Sequence, residues 1–186
     1  MKITALEIPG LFLLEPKVFG DERGYFFESY RQDKLIELGI NINYFQDNQS
    51  KSSYGVIRGL HYQLAPFAQS KLIRVLSGEI LDVVVDIRKN SPTFKKVYSV
   101  ILSAENKKQL LIPLGFAHGF SVLSNSAEIL YKCDSYYNPE AERGINYNDP
   151  FLNIDWKIDI DKAIISGKDK VQPFIDEAEM NFLYQK

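Results

Sequence analysis

The chain has 186 residues, 22 of them basic and 24 acidic, for a net charge of −2. That length sets the expectation of one domain over 1–186, able to bury roughly 70% of the surface of its unfolded form. The near-balanced charge offers no basic field to nucleic acid and no attraction to a membrane surface.

Apolar residues make up 45% of the chain, and 12 Phe and 11 Tyr against a single Trp favour strands over a helical bundle. In the first stretch Glu7 and Glu15 interrupt the apolar residues, so no secretion signal is expected there, and no run approaches the about 18 apolar residues of a membrane span. Cys133 is the only cysteine. No intrachain disulfide can form, and a cytoplasmic location is expected.

In chain order, strands are expected at 11–14, 24–30, 43–49, 56–63, 71–76, 79–87, 96–102, 109–112, 119–123 and 127–133. These are short runs of β-branched and aromatic residues between turn signals. A helix is expected over "RQDKLIEL" at 31–38, with Gly39 as its C-cap. A second is expected at the C-terminus over 172–184. Ser77-Gly78 and Ser124-Asn125-Ser126 read as hairpin turns. Many strands with hardly any helix between them indicate an all-β sandwich or small barrel rather than βαβ units. No internal repeat or linker is evident.

Two histidines and one cysteine are too few for an imidazole-rich metal centre, which wants three or four such ligands. "PLGFAHGF" at 113–120 is similar to the second motif of the cupins. Metal-binding cupins pair it with an upstream His-x-His, whereas here His61 is followed by Tyr62 and Gln63. The resemblance thus implies a cupin jelly roll without a metal.

A metal-free pocket with His, Lys, Tyr and Asp suits proton transfer beside a carbonyl, which needs a base, a positive group at the developing enolate oxygen, and an acid. His61 in "VIRGLHYQ" is the candidate base, Lys71 the positive group and Tyr131 the acid. The plainer alternatives are a satisfied core histidine, a solvated strand lysine and a buried strand tyrosine. Asp82 and Asp86 interrupt the apolar run "ILDVVVDI", and buried carboxylates need partners. Strict alternation would set Arg58 and His61 on opposite faces of their strand. Gly59 between them is where a bulge would re-aim one of them.

"EPKVFGDERGYFFESY" (15–30), "FQDNQSKSSYGVIRGLHYQ" (45–63), "DVVVDIRKNSPTF" (82–94) and "LIPLGFAHGF" (111–120) together resemble the dTDP-4-dehydrorhamnose 3,5-epimerase family. The likeness runs from about residue 6 to about 178. It implies a cupin jelly roll with a few short peripheral helices, a homodimer, no cofactor and no metal. It also implies conversion of dTDP-4-dehydro-6-deoxy-D-glucose to dTDP-4-dehydro-L-rhamnose, by inversion of the carbons on either side of the C4 ketone.

Carried over position by position, the resemblance makes His61 the base, Tyr131 the opposing acid, Asp169 the carboxylate that orients the histidine, and Lys71 the group near the C4 oxygen. Arg23, Glu28, Gln46, Asn48, Arg58, His118, Glu142 and Lys168 match positions that hold the nucleotide and sugar, and the ring of Tyr137 is expected to serve as a stacking surface for thymine. Gln49 stands where the family often has histidine, and Tyr147 where tryptophan is frequent. Two rivals remain at this level: an epimerase of the same fold that inverts only C3, and a non-catalytic cupin that binds nucleotide sugars.

Overall fold

The structure, a computed structural model, describes residues 1–185; of the domain expected over 1–186, Lys186 lies outside the described residues. The elements run β1 (Lys2–Ala5), β2 (Phe12–Glu15), β3 (Phe19–Asp21), β4 (Gly24–Phe26), α1 (Gln32–Ile36), β5 (Gln46–Ser53), β6 (Val56–Gln63) and β7 (Lys71–Ser77). They continue through β8 (Glu79–Asp86), β9 (Val97–Ser103), β10 (Gln109–Ile112), β11 (Phe116–Val122), β12 (Ser126–Cys133), β13 (Glu142–Gly144), β14 (Ile164–Ile165) and α2 (Gly167–Lys170).

Two sheets face each other, one ordered β1-β2-β10-β7-β12-β5 and the other β13-β6-β11-β8-β9. From β5 to β12 successive strands alternate between the sheets, save that β8 and β9 pair within one, and the chain winds as a jelly roll. The expected all-β cupin architecture with short peripheral helices is the one observed.

Side chains alternate along each strand, and the inner faces meet as one apolar core. Ile73 and Val75 of β7, Ile80 and Val84 of β8, Phe116, Phe120 and Val122 of β11, and Ala127 and Ile129 of β12 are all buried there. β8 is also covered on its outer face. Leu81, Val83 and Val85 pack beneath Ile145, Leu152, Trp156, Ile175 and Phe182 of the later chain. Burial on both faces explains why "ILDVVVDI" is almost continuously apolar.

Asp86, at the end of β8, is satisfied by Arg88 Nε at 2.8 Å, Ser91 Oγ at 2.6 Å and Thr93 Oγ1 at 2.7 Å. Burial alone would raise its pKa, but these donors hold it below the usual carboxylate range.

Both expected hairpins are instead corners. β7 pairs with β10 and β12, whereas β8 pairs with β11 and β9, so Gly78 carries the chain from one sheet to the other. Residues 124–126 do the same between β11 and β12. Small turn residues encode a reversal, not the sheet the next strand joins. The two corners lock together, with Glu79 N donating to Ser124 Oγ at 2.8 Å. Gly78 sits at φ +78°, and a Cβ there would lie 2.1 Å from Ser126 O, so only glycine fits.

The expected helix over 172–184 does not form. Ile175 and Phe182 are buried on the outer face of β8's sheet, and the main chain between them bonds outward to the body of the fold. Asn146 N donates to Pro173 O at 2.9 Å, and Tyr62 Oη to Glu179 O at 2.8 Å. Lys89 N donates to Phe182 O at 2.9 Å, and Tyr184 N to Lys89 O at 2.9 Å. These tertiary bonds outcompete local helix bonds.

The expected strand over 24–30 stops at Phe26, and β1, β3, β13 and β14 were not anticipated from the sequence. The first helix is shorter than 31–38. Gly39, at φ +76°, and Ile40 close it by donating to Ile36 O and Leu35 O at 2.9 Å each.

Candidate active site

At one end of the jelly roll the apolar interior gives way to polar groups, which line a cleft of about 250 Å³. Gln46 and Asn48 come from β5, His61 and Gln63 from β6, Lys71 from β7, Tyr131 from β12 and Glu142 from β13, with Tyr137 and Gln69 from adjoining loops. His61 belongs to one sheet, and Lys71 and Tyr131 to the other. The candidate base and acid therefore enter the cleft from opposite walls.

The bulge anticipated at Gly59 is present. Pairing of β6 with β11 runs His118↔His61 and then Phe120↔Arg58, three steps on one strand against two on the other. Gly59 adopts φ +115°, and a Cβ on it would lie 2.6 Å from His118 O and Gly119 Cα. The extra residue returns Arg58 to the same face as His61, where its Nε donates to Ser52 Oγ of β5 in the opposite sheet at 3.0 Å.

β14 pairs in parallel with the start of β6, which brings α2 up behind the bulge. Ser166 caps that helix by accepting from Asp169 N at 3.0 Å. Asp169, almost fully buried, accepts from His61 Nε2 at 2.7 Å and from Gly59 N at 3.3 Å. Burial pushes its pKa up, but the bonds from His61, Gly59 and Ser166 outweigh that and hold it below the usual carboxylate range. A carboxylate on Nε2 fixes the neutral imidazole with its proton on that nitrogen, which leaves Nδ1 as the basic one.

Burial drives the Lys71 ammonium pKa downward, against upward pulls from Cys133, Asp82 and Glu142. Burial also raises the Tyr131 phenol, with Cys133 adding to the rise and Arg58 opposing it. Glu142 accepts from the Tyr137 hydroxyl at 2.5 Å and pairs with Lys168. Its pKa is lowered because Lys168 and Tyr137 overcome the effect of burial.

Nine of the thirteen expected residues thus gather at this end, as cleft lining or as direct partners of it: His61, Tyr131, Asp169, Lys71, Gln46, Asn48, Tyr137, Glu142 and Lys168. Arg58 comes close enough to Tyr131 to act on its phenol, but it bonds to Ser52 and does not line the cleft. His118 lies beside His61 in register but is buried, bonded to Asp82 Oδ2 at 2.9 Å, and does not line the cleft. Arg23 and Glu28 stay outside it. Arg23 sits on the β3–β4 hairpin paired with Asp21, and Glu28 pairs with Arg31 at 2.9 Å.

The residues missed from the sequence are Tyr62, Gln63 and Gln69. Gln63 was findable, since it is two positions from His61 on the same face of β6. Gln69 gave no signal. The departures are peripheral: Gln49 Nε2 donates to Glu128 at 2.5 Å, and Tyr147 O accepts from Trp156 Nε1 at 2.9 Å. Among the described residues no three His, Cys, Asp or Glu side chains converge as a metal site.

Residues 5–177 match the family model described as dTDP-4-dehydrorhamnose 3,5-epimerase. The epimerase of that name from Shigella flexneri is 53% identical over 178 residues, 95% of this chain and 97% of its own. The solved structure from Elizabethkingia anophelis has a TM-score of 0.92 at 50% identity, covering 95% of this chain and 97% of its own. That of a 3,5-epimerase from Legionella pneumophila, in complex with dTDP-4-keto-L-rhamnose, has a TM-score of 0.94 at 47% identity, covering 100% and 99%.

Proposed function

Since the chain belongs to the dTDP-4-dehydrorhamnose 3,5-epimerase family, we propose that its cleft binds dTDP-4-dehydro-6-deoxy-D-glucose and inverts C3 and C5 by proton transfer. The enzyme is an isomerase that yields dTDP-4-dehydro-L-rhamnose. Both carbons lie α to the C4 ketone, which acidifies their protons, so neither a redox carrier nor a metal is required.

In this reading His61 Nδ1 takes the α-proton and becomes imidazolium beside the Asp169 carboxylate. The electron pair moves into the carbonyl, and the enolate oxygen develops next to Lys71. A desolvated ammonium gains more from a new anion than a hydrated one does, so it favours the enolate over the ground state. Tyr131, kept protonated by its raised pKa, delivers its proton to the opposite face; the imidazolium then gives its proton to solvent and the tyrosinate takes one from it, restoring both groups. The carbon is inverted.

The observation that carries the reading is the pairing of His61, polarised by buried Asp169 at 2.7 Å, with Tyr131 on the facing sheet of the same cleft. Arg58, Glu142 and Lys168 are assigned to substrate binding with Gln46 and Asn48, and Tyr137 to stacking on thymine; His118, buried against Asp82 beside His61, supports the wall and does not bind. A non-catalytic binding module has no use for base, cation and acid together. Proton NMR of the product from the 4-keto sugar nucleotide tests the proposal. Inversion at both carbons is expected, and inversion at C3 alone would transfer the chain to the monoepimerase reading.

The same proposal includes one domain over 1–186, a homodimer and a cytoplasmic location, which suits the free buried thiol of Cys133. The β3–β4 hairpin supports the dimer: Phe19, Tyr25 and Phe26 are more than half exposed, and such a patch asks for cover. Light scattering that gave a monomer at micromolar concentration would remove this part.

A further inference from the structure

Gln63 is the one buried amide side chain on the cleft wall, and both its donors and one of its two acceptor sites are spent on two loops. Its Nε2 donates to Phe67 O at 2.6 Å, in the loop after β6, and to Tyr136 O at 3.3 Å, in the loop after β12. Its Oε1 accepts from Asn138 N at 2.8 Å. The residues bonded at 136 and 138 flank Tyr137. That tyrosine is itself anchored by its N–H to Gln46 Oε1 at 3.0 Å and by its hydroxyl to Glu142 at 2.5 Å, while about half its surface remains open.

We propose that Gln63 is a positioning residue for nucleobase recognition: its amide clamps the main chain on both sides of Tyr137 and so fixes the plane on which the base stacks. This rests on the assignment of Tyr137 to the nucleobase. An amide alone meets the requirement, because it must donate twice and accept once in a dry site. A leucine donates nothing, and an ionised glutamate turns an oxygen toward two carbonyl oxygens. A stack held on a rigid plane loses less freedom on binding.

The test is equilibrium binding of thymidine diphosphate and of inorganic pyrophosphate to the full-length protein. Gln63→Leu should weaken thymidine diphosphate about tenfold, as loss of one base–aromatic stack does, and leave pyrophosphate within about twofold. The double variant Gln63→Leu/Tyr137→Ala should bind thymidine diphosphate no more weakly than Tyr137→Ala alone, because residues acting as one unit are non-additive. Gln63→Glu supplies the second arm. Its carboxyl, raised by burial beside carbonyls, can still donate when protonated, so its deficit relative to wild type should shrink between pH 8 and pH 5.5.

Unchanged affinity in Gln63→Leu, equal losses for both ligands, or multiplying losses in the double variant would overturn the proposal. If Gln63→Leu fails to fold, a pH-independent deficit in Gln63→Glu overturns it and recovery in acid supports it. Wild type that does not bind thymidine diphosphate overturns the nucleotide-sugar reading itself, a different result from a wild type that binds and a Gln63 variant that matches it.

Discussion

The molecule holds two His–Asp pairs side by side. His61 and His118 are direct neighbours across β6 and β11, and each has an aspartate within hydrogen-bonding reach, at 2.7 Å and 2.9 Å. Their surroundings differ. The His61 side chain is 30% exposed and meets a carboxylate brought from 108 residues away, whereas His118 is 10% exposed and meets fully buried Asp82 on the adjacent strand. Asp82 even leaves Oδ1 without a partner. In the proposed roles a carboxylate partner alone does not make a histidine a base; what separates the two is access to the cleft, which His61 lines and His118 does not.

The largest effect that separates the pairs is on turnover. His61→Asn should lower kcat by about a thousandfold, within the range for loss of a general base, and His118→Asn by only about tenfold. Equal losses in steady-state assays would erase the distinction.

Stability should rank them the other way. Asp82→Ala leaves a buried imidazole N–H without its acceptor and should cost about 2 kcal/mol in urea unfolding. Asp169→Ala should cost about 1 kcal/mol, since water can reach His61 in its place.

Acid sharpens the contrast further. The Asp169 pKa is depressed below 3.8, chiefly by His61 against the opposing effect of burial. The unfolded state therefore binds the proton first, and the stability this confers is fully present above that value and lost as pH falls through the lower folded pKa. Asp169→Asn should flatten the loss of melting temperature below about pH 4; a slope unchanged from wild type would mean that the pair contributes nothing to acid stability.

The smallest effect is none. Exhaustive chelation should leave activity intact, and loss restored by one divalent ion would recast both pairs as ligand sets.

How far the sequence foretold this depended on what each residue encodes. Strands 56–63 and 109–112 were legible to the residue, because β-branched and aromatic runs between turn signals say "strand" locally. The corners at Gly78 and Ser124–Ser126 were legible as turns but misread as hairpins, since sheet membership is decided by distant partners. The segment 172–184 was expected to be a helix, yet Ile175 and Phe182 serve the outer face of a sheet, a demand set by strands far off in the chain. In the site, His61 and Lys71 stood out by type. Asp169 was reached only through family resemblance, as nothing near position 61 points to position 169. Gln63 was legible as a neighbour of His61 on one strand face, but its task was not, because one of the two loops it bonds lies far along the chain.

The central claim is that His61 removes the α-proton and Tyr131 returns one from the other wall, and isotope exchange tests it most directly. In deuterated water Tyr131→Phe should wash deuterium into recovered substrate with retained configuration, as the enolate forms and is reprotonated from the histidine side. His61→Asn should incorporate none. Mass spectrometry reads the incorporation and NMR the configuration. Exchange that persists in His61→Asn and vanishes in Tyr131→Phe would contradict the account.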